Sequence, residues 1–230
     1  MKRLLVLELN ELCPSLIERF INEGYLPNFK QLRNQSVIKE TVTDATESEL
    51  NPWVQWVDVH TGKEREEHRI YRLNEIRRYK GDFTWDILSK RLGIKSWICG
   101  SMNASYSSDF LGRFLPDPWT KDIDPYPKKE LETYYNFVSQ AVQGHSNKAP
   151  VSSFDFLRSI LKHGVSINNI LKLVQQLVSE KIWKKSNWKR ALVLDWIQFD
   201  IFSHYYRKDN PQYSTFFSNK YTHYTHIKKH

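Results

Sequence analysis

A chain of 230 residues has room for one large domain or two small ones and enough material for a proper core. Its 40% apolar and 26% charged content, with 8 Trp, 12 Tyr and 12 Phe, excludes a disordered linker, and no apolar run approaches the roughly 20 residues of a membrane span. The balance of 34 Lys plus Arg against 26 Asp plus Glu gives +8, which suits anionic partners without choosing among phosphates, nucleic acid or acidic lipid. Met1-Lys2-Arg3 followed by Leu4 to Leu7 has the outline of a secretory leader, but Glu8, Asn10 and Glu11 interrupt it, and the expected setting is cytoplasmic. Cys13 and Cys99 make no disulfide framework and are read as small buried apolar residues in a reducing compartment.

The elements, in chain order, begin with Lys2 to Leu9 (KRLLVLEL), a continuous apolar run of the kind buried in a parallel sheet, so residues 3–9 are expected as a strand. Pro14 to Ile21 has helical spacing, and Gly24 stands at a C-terminal cap position. Residues 37–43, within SVIKETVT, are expected as a second strand, and Ser48 to His60 as a helix ended by Thr61-Gly62. Asp82 to Leu92 is an amphipathic helix closed by Gly93, and 95–99 returns as a strand. Gly100 to Pro127 carries four prolines and little periodicity, and is expected as an irregular excursion. Helices are expected at 131–142, 154–161, 167–182 and 199–207, with a buried strand at 191–196 (ALVLDW). Alternating strands and helices give an α/β fold, a mainly parallel sheet with helices on both faces. The whole of 1–230 is taken as one domain with an irregular and helical insertion at about 100–190.

Sites in open α/β sheets form beyond the carboxyl ends of strands. Asp200 and His204, four apart on a helix, share one face and could hold a divalent ion; a salt bridge or a cap by Asp200 is the plainer alternative. Asn10-Glu11 after the first strand could present a ligand, or simply turn the chain. Thr43 to Ser48 leads into a helix, where amides attract phosphate and the hydroxyl of Thr46 or Ser48 could be an activated nucleophile; an N-cap role for Ser48 is the alternative. His223, His226 and His230 would share a helical face but are read as a solvated chain end. The run Lys181 to Arg190, in which Trp183 and Trp188 interleave five cations, is read as a charged helix end and loop in preference to a nucleic-acid surface. No Walker loop, GxGxxG, GxSxG or CxxC is present.

Taken in order, several fragments resemble the type I phosphodiesterase/nucleotide pyrophosphatase family of the alkaline phosphatase superfamily. Those enzymes open with a strand ending in Asp-Gly, a helix and a Gly-x-Leu-Pro-Asn element; here Gly24-Tyr25-Leu26-Pro27-Asn28 is similar. Trp56-Val57-Asp58-Val59-His60-Thr61-Gly62, with His68 beyond, is similar to a W-x-S-x-x-T-G…H segment, and Trp85 to Leu88 and Gly93 to Lys95 fit the next helix and strand. Asp200 and His204 fall on the family's D-x-x-x-H metal pair. The resemblance implies an alkaline-phosphatase-like fold and a phosphoester hydrolase in which up to two divalent metals, usually zinc, activate a Thr or Ser nucleophile. Asn10 would stand at the first metal-binding Asp, giving Asn10, Asp200 and His204 as metal residues and Ser48 or Thr46 as nucleophile. Nine residues before Thr61 the nucleophile position is Pro52, and the family's later Asp-His-Gly strand is absent from the sequence. The resemblance therefore covers the N-terminal portion of the fold, apparently truncated, and implies a metal-dependent phosphodiesterase-like hydrolase without activity in this form. Two alternatives stand beside it: a non-catalytic binder of a phosphorylated or otherwise anionic small molecule, glycan, lipid or nucleotide, and a nucleic-acid binder through 181–190. Self-association through an exposed sheet edge is a further expectation.

Overall fold

The computed structural model describes residues 2–43, 46, 50–143, 151–183 and 188–219. Among these, four strands form one all-parallel sheet: β1 (Leu4–Leu9), β2 (Ser96–Cys99), β3 (Gly112–Leu115) and β4 (Tyr213–Ser218), in the spatial order β1-β4-β2-β3. The helices are α1 (Pro14–Asn22), α2 (Pro27–Asn34), α3 (Pro52–Thr61), α4 (Arg65–His68), α5 (Thr84–Leu92), α6 (Lys128–Gln143), α7 (Ser153–Lys162), α8 (Ile167–Trp183) and α9 (Trp188–Lys208). The expected α/β architecture is therefore present, with packed helices on both faces of the sheet.

Alternation along the central strands builds two cores. Ile98 of β2 and Phe114 of β3 point to a cluster with Val57 of α3 and with Phe83 and Trp85 around α5. Trp97, Cys99 and Leu115, one residue out of phase, point to the opposite cluster with Leu131 of α6, Ile160 of α7 and Ile197 and Ile201 of α9. The chain moves two positions across the sheet from β1 to β2 by way of the first face, and returns from β3 to β4 by way of the second. β4 is thereby inserted between β1 and β2 and is buried along nearly its whole length, whereas β1 and β3 are edges.

Local chemistry sets the boundaries. Asn51 caps α3, its side chain accepting from Trp53 N at 3.3 Å, with Pro52 in the first turn and Gly62 in the left-handed region closing the helix. Asp86 reaches back to the Phe83 N–H at 3.0 Å to start α5. Gly112 is required by close packing: a Cβ there would lie 2.0 Å from the Ser96 carbonyl oxygen of the neighbouring strand.

Two expected strands are corrected. Residues 191–196 lie inside α9, because their apolar run continues at helical spacing through the buried Val193, Ile197, Ile201 and Tyr205. Residues 37–43 form no strand; Val37, Ile38 and Val42 are exposed and pair with nothing in the sheet. Two strands were not foreseen: β3, within the segment expected to be irregular, and β4, which follows the turn at Asn210-Pro211. The stretch 100–190, expected as an insertion, supplies β3 and much of the second core.

Arg113 of β3 ties the second face together. It donates to Asp209 at 2.8 Å and Glu130 at 2.7 Å and lies over the Tyr205 ring at 3.6 Å, while the Tyr205 hydroxyl meets His163 Nδ1 at 2.6 Å. Burial lowers His163 from 6.5 to about 4. Burial raises Asp117, just beyond β3, from 3.8 to about 7, against the opposing hydrogen bonds from Trp119 N and Thr120 Oγ1. Between about pH 4 and 7 the unfolded chain has released the Asp117 proton that the folded chain keeps, so this group lowers stability as pH rises. His163 acts in the opposite sense: between about pH 6.5 and 4 the unfolded chain takes up a proton that the folded chain refuses, so stability falls as pH falls. Asp117→Asn should therefore become more stable relative to wild type by on the order of 3 kcal/mol between pH 4 and pH 7. Urea midpoints across that range measure it, and a pH-independent difference would contradict the buried, protonated Asp117.

Candidate functional site

β1 is polar at its carboxyl end, and its even-numbered residues face α3. Glu8 is almost wholly buried there. Its Oε2 accepts from Ser101 Oγ at 3.0 Å, Ser101 Oγ lies 2.9 Å from Thr215 Oγ1, and His60 Nε2 stands 3.4 Å from the same carboxylate oxygen. Glu8 Oε1 and His60 Nε2 have no hydrogen-bond partner among the described residues. Asn10, two residues on and on the same face, accepts from Trp56 Nε1 at 3.1 Å, and its Nδ2 donates to Asn219 Oδ1 at 2.8 Å. Trp56 and His60 are one helical turn apart on α3 with their rings stacked at 5.7 Å, and Phe217 meets the indole edge-on at 5.2 Å. Trp56 thus separates the buried Glu8–His60 pair from the surface.

Above it opens a cleft of about 780 Å³ at the carboxyl end of β1, lined by Asn10, Glu11, Gln55, Trp56 and Asp58, by Thr41 to Thr43, and by the turn from Gly62 to Glu66. Asp58 is held by His68, whose Nε2 lies 2.5 Å from Asp58 Oδ1 while its Nδ1 accepts the Ile70 N–H at 3.0 Å. Both ring nitrogens are used, so His68 orients Asp58 and has no lone pair to offer a substrate. The cleft carries Lys63 and Arg65 beside Glu11, Asp58, Glu64 and Glu66.

The proposed metal residues do not come together. Asp200 Oδ2 accepts from Ser166 N at 2.9 Å, Ser166 Oγ at 2.8 Å and Asn169 Nδ2 at 2.7 Å, and so caps the start of α8. His204, one turn on, packs against Gly164 in the α7–α8 turn, where a Cβ would lie 2.6 Å from its Nδ1; burial, then Lys208 and Arg207, hold its pKa below the ordinary histidine value. The α9 residue that reaches the carboxyl end of β4 is Asp195, which accepts from Ser218 Oγ at 2.9 Å. Because α9 runs antiparallel to β4, Asp200 lies about 7.5 Å further towards the amino edge, at 1.5 Å per residue. Neither Asp200 nor His204 lines the cleft at Asn10. The residue brought to Asn10 is Asn219, which no expectation named; with β4 read as the strand, its position two residues beyond Phe217 would have pointed to it.

Asn10, Asp200 and His204 are therefore not brought together as one donor set: at the strand ends two neutral amides meet, and among the described residues no group of three His, Cys, Asp or Glu is placed to hold a metal. Thr46 is exposed and does not line the cleft, although Thr43 does; Ser48 lies outside the described residues, as do His223, His226 and His230 and the side chains of Lys181 and of Trp183 to Arg190.

Trp56→Phe keeps a ring between Asn10 and His60 but removes the indole donor. It should cost about 1–2 kcal/mol, read from urea unfolding, because the Asn10 amide oxygen loses a partner while staying largely buried. A loss below about 0.3 kcal/mol would show that this hydrogen bond does not hold the strand end.

No protein-family model matches the chain, and no curated protein or solved structure matches it either.

Proposed function

We propose that the chain is a binding protein on an alkaline-phosphatase-like scaffold that holds an anionic glycan in the cleft at the end of β1 and does not hydrolyse it alone. The observation that carries this reading is the closure of the two strand ends by the Asn10–Asn219 amide pair, with the Asn10 oxygen also engaged by Trp56. The amides and the indole N–H satisfy one another and leave the strand ends neutral, whereas an ion-assisted hydrolase needs negative charge at that point. The cleft chemistry narrows the ligand class. Four carboxylates disfavour a polyphosphate but accept sugar hydroxyls, and Lys63 and Arg65 suit one or a few acidic groups among many hydroxyls.

A second reading, a metal-dependent phosphodiesterase-like hydrolase, is favoured by one observation. Glu11 has φ 54°, in the left-handed region that suits glycine, at the place where the resembled family carries the Gly of Asp-Gly. On this reading the phosphoester would sit in the same cleft.

Calorimetric titration of the full chain with a uronic-acid oligosaccharide separates the two. Binding is expected, with at least a tenfold loss in Lys63→Ala/Arg65→Ala and little binding of a neutral oligosaccharide of equal length. Hydrolysis of an aryl phosphodiester with added zinc or manganese should stay at the level of a control without protein. Turnover well above that control would favour the hydrolase, and absence of oligosaccharide binding would sink the glycan reading.

A further inference from the structure

We propose that two copies of this chain pair through the open edge of β1, antiparallel about a two-fold axis at Leu7, to continue the sheet from one copy into the other. The backbone supplies the first reason. Leu4 N donates to Gln212 O at 2.9 Å and Asn10 N to Ser218 O at 3.1 Å, so the parallel ladder uses the even-numbered residues of β1. The N–H and C=O groups of Leu5, Leu7 and Leu9 face the other way, where no strand of the described residues pairs with them. Between Leu4 and Leu9 the strand has no proline, no bulge and no lysine, and its one charged residue, Glu8, is turned away from the open edge.

The side chains supply the second reason. Leu4, Leu5 and Leu7 are 57%, 40% and 53% exposed, on a strand whose register partners in β4 are nearly all buried. Leu5 and Leu7 share the α9 face with Phe216, and Phe199, packed on Phe216 at 5.2 Å, is itself 48% exposed. The sheet therefore has an apolar ledge along its open edge.

A second copy is the occupant because β1 complements itself. Antiparallel pairing centred on Leu7 sets Leu5 against Leu9 of the second copy and Leu7 against its own counterpart. The same register sets Arg3, at the exposed basic start, against Glu11 at the acidic end. The three outward-facing residues of each strand would form about six backbone hydrogen bonds, and the ledges of the two copies would meet around the axis. A one-residue shift would set outward-facing groups against the inward-facing ones and lose the ladder.

Light scattering of the full chain at tens of micromolar should give twice the mass of 27.5 kDa. Because residue 7 meets its own counterpart, Leu7→Lys and Leu7→Glu should each weaken association at least tenfold, and an equimolar mixture of the two should pair again. Leu7→Cys in a Cys13→Ser background should form a disulfide-linked dimer on oxidation, since directly hydrogen-bonded antiparallel pairs have Cα atoms about 5.5 Å apart. A monomeric wild type would overturn the proposal. So would charged single variants that stay dimeric, a mixture that stays monomeric, or a Leu7→Cys chain that does not cross-link.

Discussion

The carboxylate of Glu8 is the constraint on which the site depends. A charge-bearing group on an edge strand can be buried this deeply only where other elements converge on it, and here two do: Ser101 after β2, itself 2.9 Å from Thr215 of β4, and His60 of α3. Their convergence fixes the face of β1 that looks towards α3. Everything of that parity follows, so Asn10 comes to lie under Trp56, one turn before His60. The cleft is then what remains between the strand end, α3 and the turn that follows it.

The same arrangement leaves β1 held unevenly. Its inner edge is laced to β4 and the carboxyl end of its even face, at Glu8 and Asn10, is covered by α3, but its outer edge and much of its leucine surface are left bare. Specific polar chemistry and an unfinished sheet thus occupy the two sides of one six-residue strand. At its tip, polar residues of β1 and of the segment just after β4 meet as amides. Two neutral groups can satisfy each other by hydrogen bonding, whereas two carboxylates at that distance would repel unless a cation lay between them. That difference in charge decides what the strand ends can bind.

Much of the fold was legible in the sequence because burial leaves a periodic trace. The runs at 3–9 and 95–99 read as strands, and the capped helix ending at Gly93 read correctly. ALVLDW did not: six residues, five of them apolar, fit a buried strand or one face of a long helix equally well, and only the continuation through Ile197, Ile201 and Tyr205 distinguishes them. That misreading displaced the site. With the strand placed at 191–196, Asp200 and His204 seemed to stand at a strand end, when the strand beside β1 is Tyr213–Ser218. Asn10 was recognisable as the turn out of β1. Its partners Trp56 and Asn219 are 46 and 209 residues away, separations at which local pattern carries no information.

The chemistry of the strand ends is tested most directly by zinc affinity, measured by calorimetry on the wild-type chain and on Asn10→Asp/Asn219→Asp. If the amide pair keeps a divalent ion out, wild type shows no binding at micromolar zinc, and the doubly acidic variant gains a site by at least a factor of ten in affinity. Tight binding of zinc by wild type, unchanged by the two substitutions, would contradict the assignment of this strand end as a metal-free binding site.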